Sequence, residues 1–233
     1  VDNIGAVIAQ NNYKDIKALT DKASDGYILI DENDKCGLVK LDKTVVFENN
    51  YQDIKQVYGD NKYVVRQNGK WSVADKDGNL YLTGEFDDVT SINGDNVIAK
   101  KGNKYGVLST GGEEIIGFDY DDMSYTYENN YIAKKDNKYG IINADGTTKV
   151  DFKYDSLIYR QTEGFFEGSM NNSVDNDLID RNFEVKLSGI ISEINDENGY
   201  MKVRVDGEYK YYNFRFEEKT NIELLKSNTL FLS

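Results

Sequence analysis

Carboxylates are the abundant side chains in this chain whose chemistry could be enzymatic. Histidine is absent, which removes the commonest general base, the serine-type triad and most zinc sites. The densest acidic cluster is Asp119, Asp121 and Asp122, and two carboxylates across a cleft are the equipment of a glycosidase. Asp122, however, shares a column with Asp15, Asp53 and Asp88, where a recurring turn bond to a backbone N–H accounts for it. Cys36 is a potential nucleophile. It stands in a column held elsewhere by Trp71, Tyr105 and Tyr139, so it reads as a small core residue. Two acidic loops, Asp31-Glu32-Asn33-Asp34 and Asp175-Asn176-Asp177 with Asp180, offer oxygen ligands. Neither has the spacing of a helix-loop-helix calcium site, and both read as solvated turns. No catalytic residue, metal or cofactor is expected.

Tyrosine is the other lead. Tyr125 and Tyr127, and Tyr209, Tyr211 and Tyr212 in the run Y-K-Y-Y, fall near strand ends. Rings there can stack on sugars or anchor a protein partner, although packing between repeats accounts for most tyrosines. Lys35, Lys70, Lys104 and Lys138 recur once per unit at hairpin tips. They would line one rim of the assembly and read as solvated turns.

What positions these residues is an internal repeat. Asn129–Asn143, N-N-Y-I-A-K-K-D-N-K-Y-G-I-I-N, nearly copies Asp95–Ser109, D-N-V-I-A-K-K-G-N-K-Y-G-V-L-S. Cys36, Trp71, Tyr105, Tyr139 and Tyr209 form one column, at steps of 35, 34, 34 and 70. Tyr13, Tyr51, Phe86, Tyr120, Tyr154 and Ile191 form a second. Self-similarity at a fixed period outranks other sequence signals. Each unit parses as four short extended segments. In the fourth full copy these are Tyr131–Lys135, Tyr139–Asn143, then an Asp-Gly turn and Thr147–Phe152, then a last piece ending near Tyr159. Helical periodicity is weak, and its best candidates, Asn12–Leu19 and Thr220–Lys226, both fall in strand slots.

Full copies start near residues 24, 60, 95, 129, 164 and 198, in one domain spanning 1–233 with partial copies at both ends. Gly5–Leu19 matches Thr44–Val57, and Asn228–Ser233 opens a further copy. The fifth copy, Gly164–Asn195, lacks the K-Y-G core; a tolerated defect is the favoured reading, a grafted function the other. Strands such as Tyr139–Ile142 and Tyr63–Val65 are apolar or small on both faces. A strand covered on one side would alternate with polar residues, so successive sheets must stack face to face. The expected fold is all-β, tandem ~34-residue antiparallel repeats, propeller-like. An open curved array is the alternative; neither Gly5–Ala9 nor Leu230–Leu232 resembles a polar cap, which leans toward closure.

Composition agrees. The chain has 233 residues, 39% hydrophobic and 30% charged, with 18 tyrosines and no proline, and so must form turns with Gly, Asn and Asp. A formal charge of −13 opposes nucleic acid as a partner. No apolar run reaches the ~20 residues of a spanning helix, so no membrane insertion is expected. Opening on Val1, the sequence reads as one that lost a leader or was excised from a longer protein.

K-W-S at 70–72 and K-Y-G at 104–106 and 138–140, each followed by an Asp-Gly or Gly-Gly turn, resemble the bacterial WG (KWG) repeats. The resemblance spans roughly residues 5–233 and is most specific between Asp60 and Tyr159. The copies depart from it in lacking the usual proline before the Tyr-Asp pair, and in placing Cys36, Ser72 and Lys210 in signature slots. It implies a β-rich array, often in exported or surface bacterial proteins, without an established activity. The resulting expectation is a non-enzymatic binding or scaffold module, extracellular or at the cell surface, with a protein or glycan partner. Carbohydrate or cell-wall binding through surface tyrosines is the first alternative, and a glycoside-processing enzyme the second.

Overall fold

The computed structural model describes residues 12–22, 25–56, 62–171 and 173–220. The segments Gly5–Ala9 and Asn228–Ser233, and Thr220–Lys226 beyond its first residue, lie outside them. Two compact units divide between Tyr125 and Thr126. No α-helix occurs among the described residues, nor any helix long and apolar enough to cross a membrane.

The first unit holds three antiparallel four-stranded sheets, each a meander of the kind that forms a propeller blade. The first sheet runs β1 (Asp15–Ala18), β2 (Tyr27–Ile30), β3 (Cys36–Val39), β4 (Val45–Tyr51). Asp15–Ala18 of the helical candidate Asn12–Leu19 is therefore a strand, as its slot in the repeat required. The second sheet runs β5 (Asp53–Gln56), β6 (Tyr63–Gln67), β7 (Lys70–Ala74), β8 (Leu80–Phe86). In the third, β9 (Asp88–Asn93), β10 (Asn96–Lys101), β11 (Lys104–Ser109) and β12 (Glu114–Tyr120) pair in the same order. Strand β13 (Asp122–Tyr125) closes the unit.

The second unit contains β14 (Tyr131–Lys135), β15 (Lys138–Ile142) and β16 (Thr148–Tyr154), then seven continuously paired strands. These are β17 (Ser156–Arg160), β18 (Phe165–Ser169), β19 (Asn176–Ile179), β20 (Val185–Asn195), β21 (Tyr200–Val205), β22 (Glu208–Asn213) and β23 (Glu218–Lys219). Strand β20 serves two sheets. Val185–Gly189 pair with β19, and Ile190–Asn195 pair with β21. At the equivalent place elsewhere the strand breaks at Gln52, Asp87, Asp121 or Asp155. At Ser192 the strand runs on.

Neighbouring residues of a strand feed different cores, as two-faced apolar strands demand. Val65 packs with Leu38, Phe47 and Ile54 between the first and second sheets. Val64, its neighbour, packs with Val73, Val89, Val97 and Leu108 between the second and third. In the second unit Phe166 lies with Ile132, Ile141 and Tyr154, while Phe165 lies with Leu178, Met201 and Val203. Val64, Val65, Phe165 and Phe166 are wholly buried. Each contributes about 1.5–3 kcal/mol through loss of water contact, and a lone sheet would forfeit half of this.

The sheets are offset from the copies read in the sequence. The fourth extended piece of each copy, such as Ser156–Arg160, is the first strand of the following sheet. Each copy is thereby stitched into the next. The glycine after the signature aromatic has a packing cause. A Cβ at Gly140 would lie 2.6 Å from the Val150 carbonyl oxygen, where β16 bulges between the pairs Tyr139–Tyr154 and Ile141–Val150. Ser72, the departure from that pattern, uses its hydroxyl to accept the Gly84 N–H at 2.7 Å.

Candidate binding surfaces

Three of the four recurring lysines, Lys70, Lys104 and Lys138, are ion-paired while remaining partly exposed at their hairpin tips. Lys104 binds Asp121 and Lys138 binds Asp155, each at 2.6 Å, and Lys70 binds Asp87. The same aspartates reach the following hairpin. Asp87 accepts the Gly102 N–H and Asp155 the Asn171 N–H, both at 2.7 Å. Gln52 does likewise for Gly69 at 2.6 Å. These partners, the lysines first, hold the Asp87 and Asp155 carboxyls below the ordinary value. One carboxylate thus ties the tips of two successive sheets. The neighbouring column performs the turn bond expected of it: Asp15, Asp53, Asp88 and Asp122 each accept the N–H of the next residue.

The acidic loops are likewise occupied by their own backbone. Asp31 accepts the N–H groups of Asn33 and Lys35, and Asp180 those of Asn182 and Glu184. Asp177 stands in the slot of Gly140 and is buried. It accepts Ser188 Oγ and Tyr154 Oη at 2.7 Å and Lys153 Nζ at 3.1 Å. Burial alone would raise its carboxyl; these three donors outweigh that and hold it below the usual value. Burial, then the bond to Asp177, drives the Tyr154 phenol well above its ordinary value. The irregular fifth copy is therefore a polar joint, with the Tyr154 ring seated over Gly168.

Tyr209 and Tyr211 come together on the second face of the last sheet. Its first face is core: Met201, Val203 and Tyr212 pack against Phe165 and Leu178. Tyr212 is thus a core residue and is not displayed beside the other tyrosines, because alternation along β22 turns it the opposite way. On the second face the rows run Glu193–Lys202–Tyr211 and Ile190–Arg204–Tyr209 across β20, β21 and β22. Lys202 Nζ lies 4.8 Å from the Tyr209 ring centre and 5.7 Å from that of Tyr211. The Tyr200 and Tyr211 rings meet edge to face at 5.8 Å, and Tyr200 donates to Glu193 at 3.2 Å. Tyr209 is 56% exposed.

By register, Lys202 takes the column of Val64, Ile98 and Ile132, all buried, and of Glu167, whose carboxylate is held by Arg160 and Asn176. A face that in the other sheets would meet a neighbour here offers two rings, a cation and a carboxylate. Sequence reasoning missed Tyr200, Lys202 and Glu193. The signal was the alternation Y-M-K-V-R at 200–204, where apolar residues occupy one face only.

Tyr125 lies elsewhere, in the first unit, 38% exposed. It borders an open cleft of about 430 Å³ between β9 and β13 whose walls include Thr90, Ser91, Asn93, Met123 and Ser124. None of these side chains is charged. Tyr127 opens the second unit in a short 3₁₀ turn, Tyr127–Asn129. The Arg181 guanidinium lies over its ring at 4.9 Å, and Tyr159 stands beside it at 6.1 Å.

Residues 72–105, 105–139 and 139–167 match the family model described as WG containing repeat. No curated protein sequence matches the chain. Among solved structures, a eukaryotic initiation factor is similar with a TM-score of 0.52 at 11% identity, over 89% of this chain and 64% of that one. That likeness is one of fold. Hsv2 of Kluyveromyces lactis is similar at a TM-score of 0.44 and 7% identity, over 82% and 72% of the two chains. Hsv2 of Kluyvelomyces marxianus is similar at 0.45 and 8%, over 91% and 75%.

Proposed function

We propose, from the premise that residues 72–167 are WG repeats, that this chain is a non-enzymatic binding or scaffold module docking a protein partner on the second face of its last sheet. One observation carries the proposal: on the second face of the last sheet Lys202, in the column buried as Val64, Ile98 and Ile132, stands beside the exposed Tyr209 and the half-buried Tyr211. Exposed tyrosines supply rigid, amphipathic contact area at low entropic cost, and such residues dominate docking energies. The module belongs, in this reading, to an exported or surface bacterial protein. Cell fractionation of the native host tests that part; recovery from the cytosol alone would reject it.

The docking test is affinity capture from the native host with the whole chain as bait. Tyr209→Ala and Tyr211→Ala should each weaken the captured interaction by about tenfold, with the fold unchanged by circular dichroism. Capture indifferent to both substitutions would remove this face from consideration.

The cleft beside Tyr125 favours a second reading. A ring bordered by hydroxyls and an amide, without charge, suits a neutral sugar. Titration with soluble cell-wall glycans, comparing the native chain with Tyr125→Ala, separates the two readings. For an enzyme the carboxylates would have to be available, whereas Asp121 holds Lys104 and Asp122 its own turn. Chromogenic glycosides should not be turned over; turnover lost in Asp121→Asn or Asp122→Asn would overturn the non-enzymatic reading.

A further inference from the structure

Successive sheets make the same tight turn before their last strand, and its left-handed residue varies between copies, Lys43 holding it in the first sheet at φ 71°. The turns starting at Asp75, Ser109 and Asn143 place Gly78, Gly112 and Gly146 in the left-handed region, with φ of 88°, 89° and 85°. The matching residues after Asp180 and Asn213 are Phe183 and Phe216, both at φ 66°. A bulky side chain there costs about 1–2 kcal/mol, and such strain gathers where a site is held in shape. In the second sheet the turn closes on its neighbour: a Cβ at Gly78 would lie 2.4 Å from the Val46 carbonyl oxygen. Phe183 instead packs into the core around Phe166, and Phe216 meets Phe165 edge to face at 5.5 Å.

Between these two turns opens a cleft of about 450 Å³ whose lining includes Arg181, Arg215, Phe214, Phe216, Asp180 and Glu163. Two guanidinium groups on one cleft are notable in a chain of formal charge −13. Gly164 makes room for the first, since a Cβ there would lie 2.6 Å from Arg181 Nη2. Asp180 is committed to its turn and to Lys186 at 3.5 Å. Glu163 is the other carboxylate on the wall.

We propose that this cleft binds a carboxylate attached to an apolar body, such as a peptide C-terminus ending in a large hydrophobic residue. The planar guanidinium fork of Arg181 or Arg215 matches a carboxylate in two parallel hydrogen bonds. The rings of Phe214 and Phe216 receive the apolar part. The site is separate from the tyrosine face, and its fate does not depend on that reading.

The test is an NMR titration of the whole chain with a short N-acetylated peptide ending in Leu-Phe, as free acid and as C-terminal amide. Benzoate serves as the small-acid arm and inorganic phosphate as the control anion. The free acid should shift resonances of residues 163–164, 180–182 and 214–216, and the amide should bind at least tenfold more weakly. Arg181→Met and Arg215→Met should each cost about tenfold, and Arg204→Met, on the tyrosine face, nothing. Glu163→Gln should tighten binding several-fold, an effect that a merely structural role would not give. Benzoate binding with no peptide binding would assign the cleft to free organic acids. Acid and amide binding alike, phosphate matching the acids, or no shift at these residues up to millimolar ligand would overturn the proposal.

Discussion

Asp177 shows how one side chain can replace a feature of the repeat while keeping the packing. Where Gly37, Gly106 and Gly140 admit a bulged backbone, it uses a buried carboxylate to admit a tyrosine hydroxyl. Asp177→Ala would leave Tyr154 Oη and Ser188 Oγ without their acceptor, and should cost about 2–4 kcal/mol by chemical denaturation. Its pH signature follows from the depressed carboxyl. The native value lies below the unfolded one, so the stabilisation is complete above pH ~4 and is lost as pH falls through the lower native value. Asp177→Asn should therefore flatten the acid limb of the stability profile. Tyr154 has the opposite sense: its raised phenol stabilises the native state below pH ~10, and that is lost at higher pH. Tyr154→Phe should flatten the alkaline limb. Cys36 is buried, and burial, then Asp53, raises its thiol. It should react with a thiol reagent only as the chain unfolds; prompt modification of the native chain would contradict its place in the core.

At the scale of elements, the hairpins were the most legible part of the sequence. K-Y-G with an Asp-Gly turn specifies β14–β15–β16 through local rules: two apolar faces, a glycine at a close approach, and turn residues at fixed offsets. Gly140→Ala tests that logic, and with a Cβ 2.6 Å from the Val150 oxygen should cost about 2–4 kcal/mol. The assignment of the last strand of each copy to the following sheet was not legible, because a period fixes spacing but not which neighbour a strand pairs with. The aspartates at 87 and 155 set that break, joining two hairpin tips. Since Asp155 holds both Lys138 and the Asn171 N–H, Asp155→Ala should lower Tm more than Lys138→Ala does. The tyrosine face was half legible. Y-K-Y-Y reads as a cluster in one dimension, yet alternation on β22 separates Tyr212, in the core, from Tyr209 and Tyr211.

For the whole molecule, stability comes from sheets covering one another, so no single sheet is a folding unit. A peptide of residues 12–51, the first sheet alone, should be unstructured by circular dichroism, because Cys36, Leu38 and Phe47 lose their cover from Ile54, Tyr63 and Val65. The strongly negative sequence, in which Lys70, Lys104 and Lys138 are engaged by aspartates, gives counterion-driven binding to nucleic acid little to work with. What the linear pattern could not supply was where the repeat stops being only architecture. That happens where Glu167 and Lys202 enter an aliphatic column, and where Phe183 and Phe216 take the turn position held by Gly78, Gly112 and Gly146, and each is visible only once register aligns the copies.

The stitch between copies has a genetic corollary. Excising residues 53–87 would splice Gln52 to Asp88, turning Tyr-Gln-Asp-Ile into Tyr-Gln-Asp-Val and bringing Val89, Val97 and Ala99 to the surface vacated by Ile54, Tyr63 and Val65. The seam is chemically almost silent. A gene of this design can shed a whole period by recombination and still encode a chain that melts cooperatively, whereas a deletion of half that length should not. Array length is thus a quantity that such a lineage can adjust without redesigning a single joint.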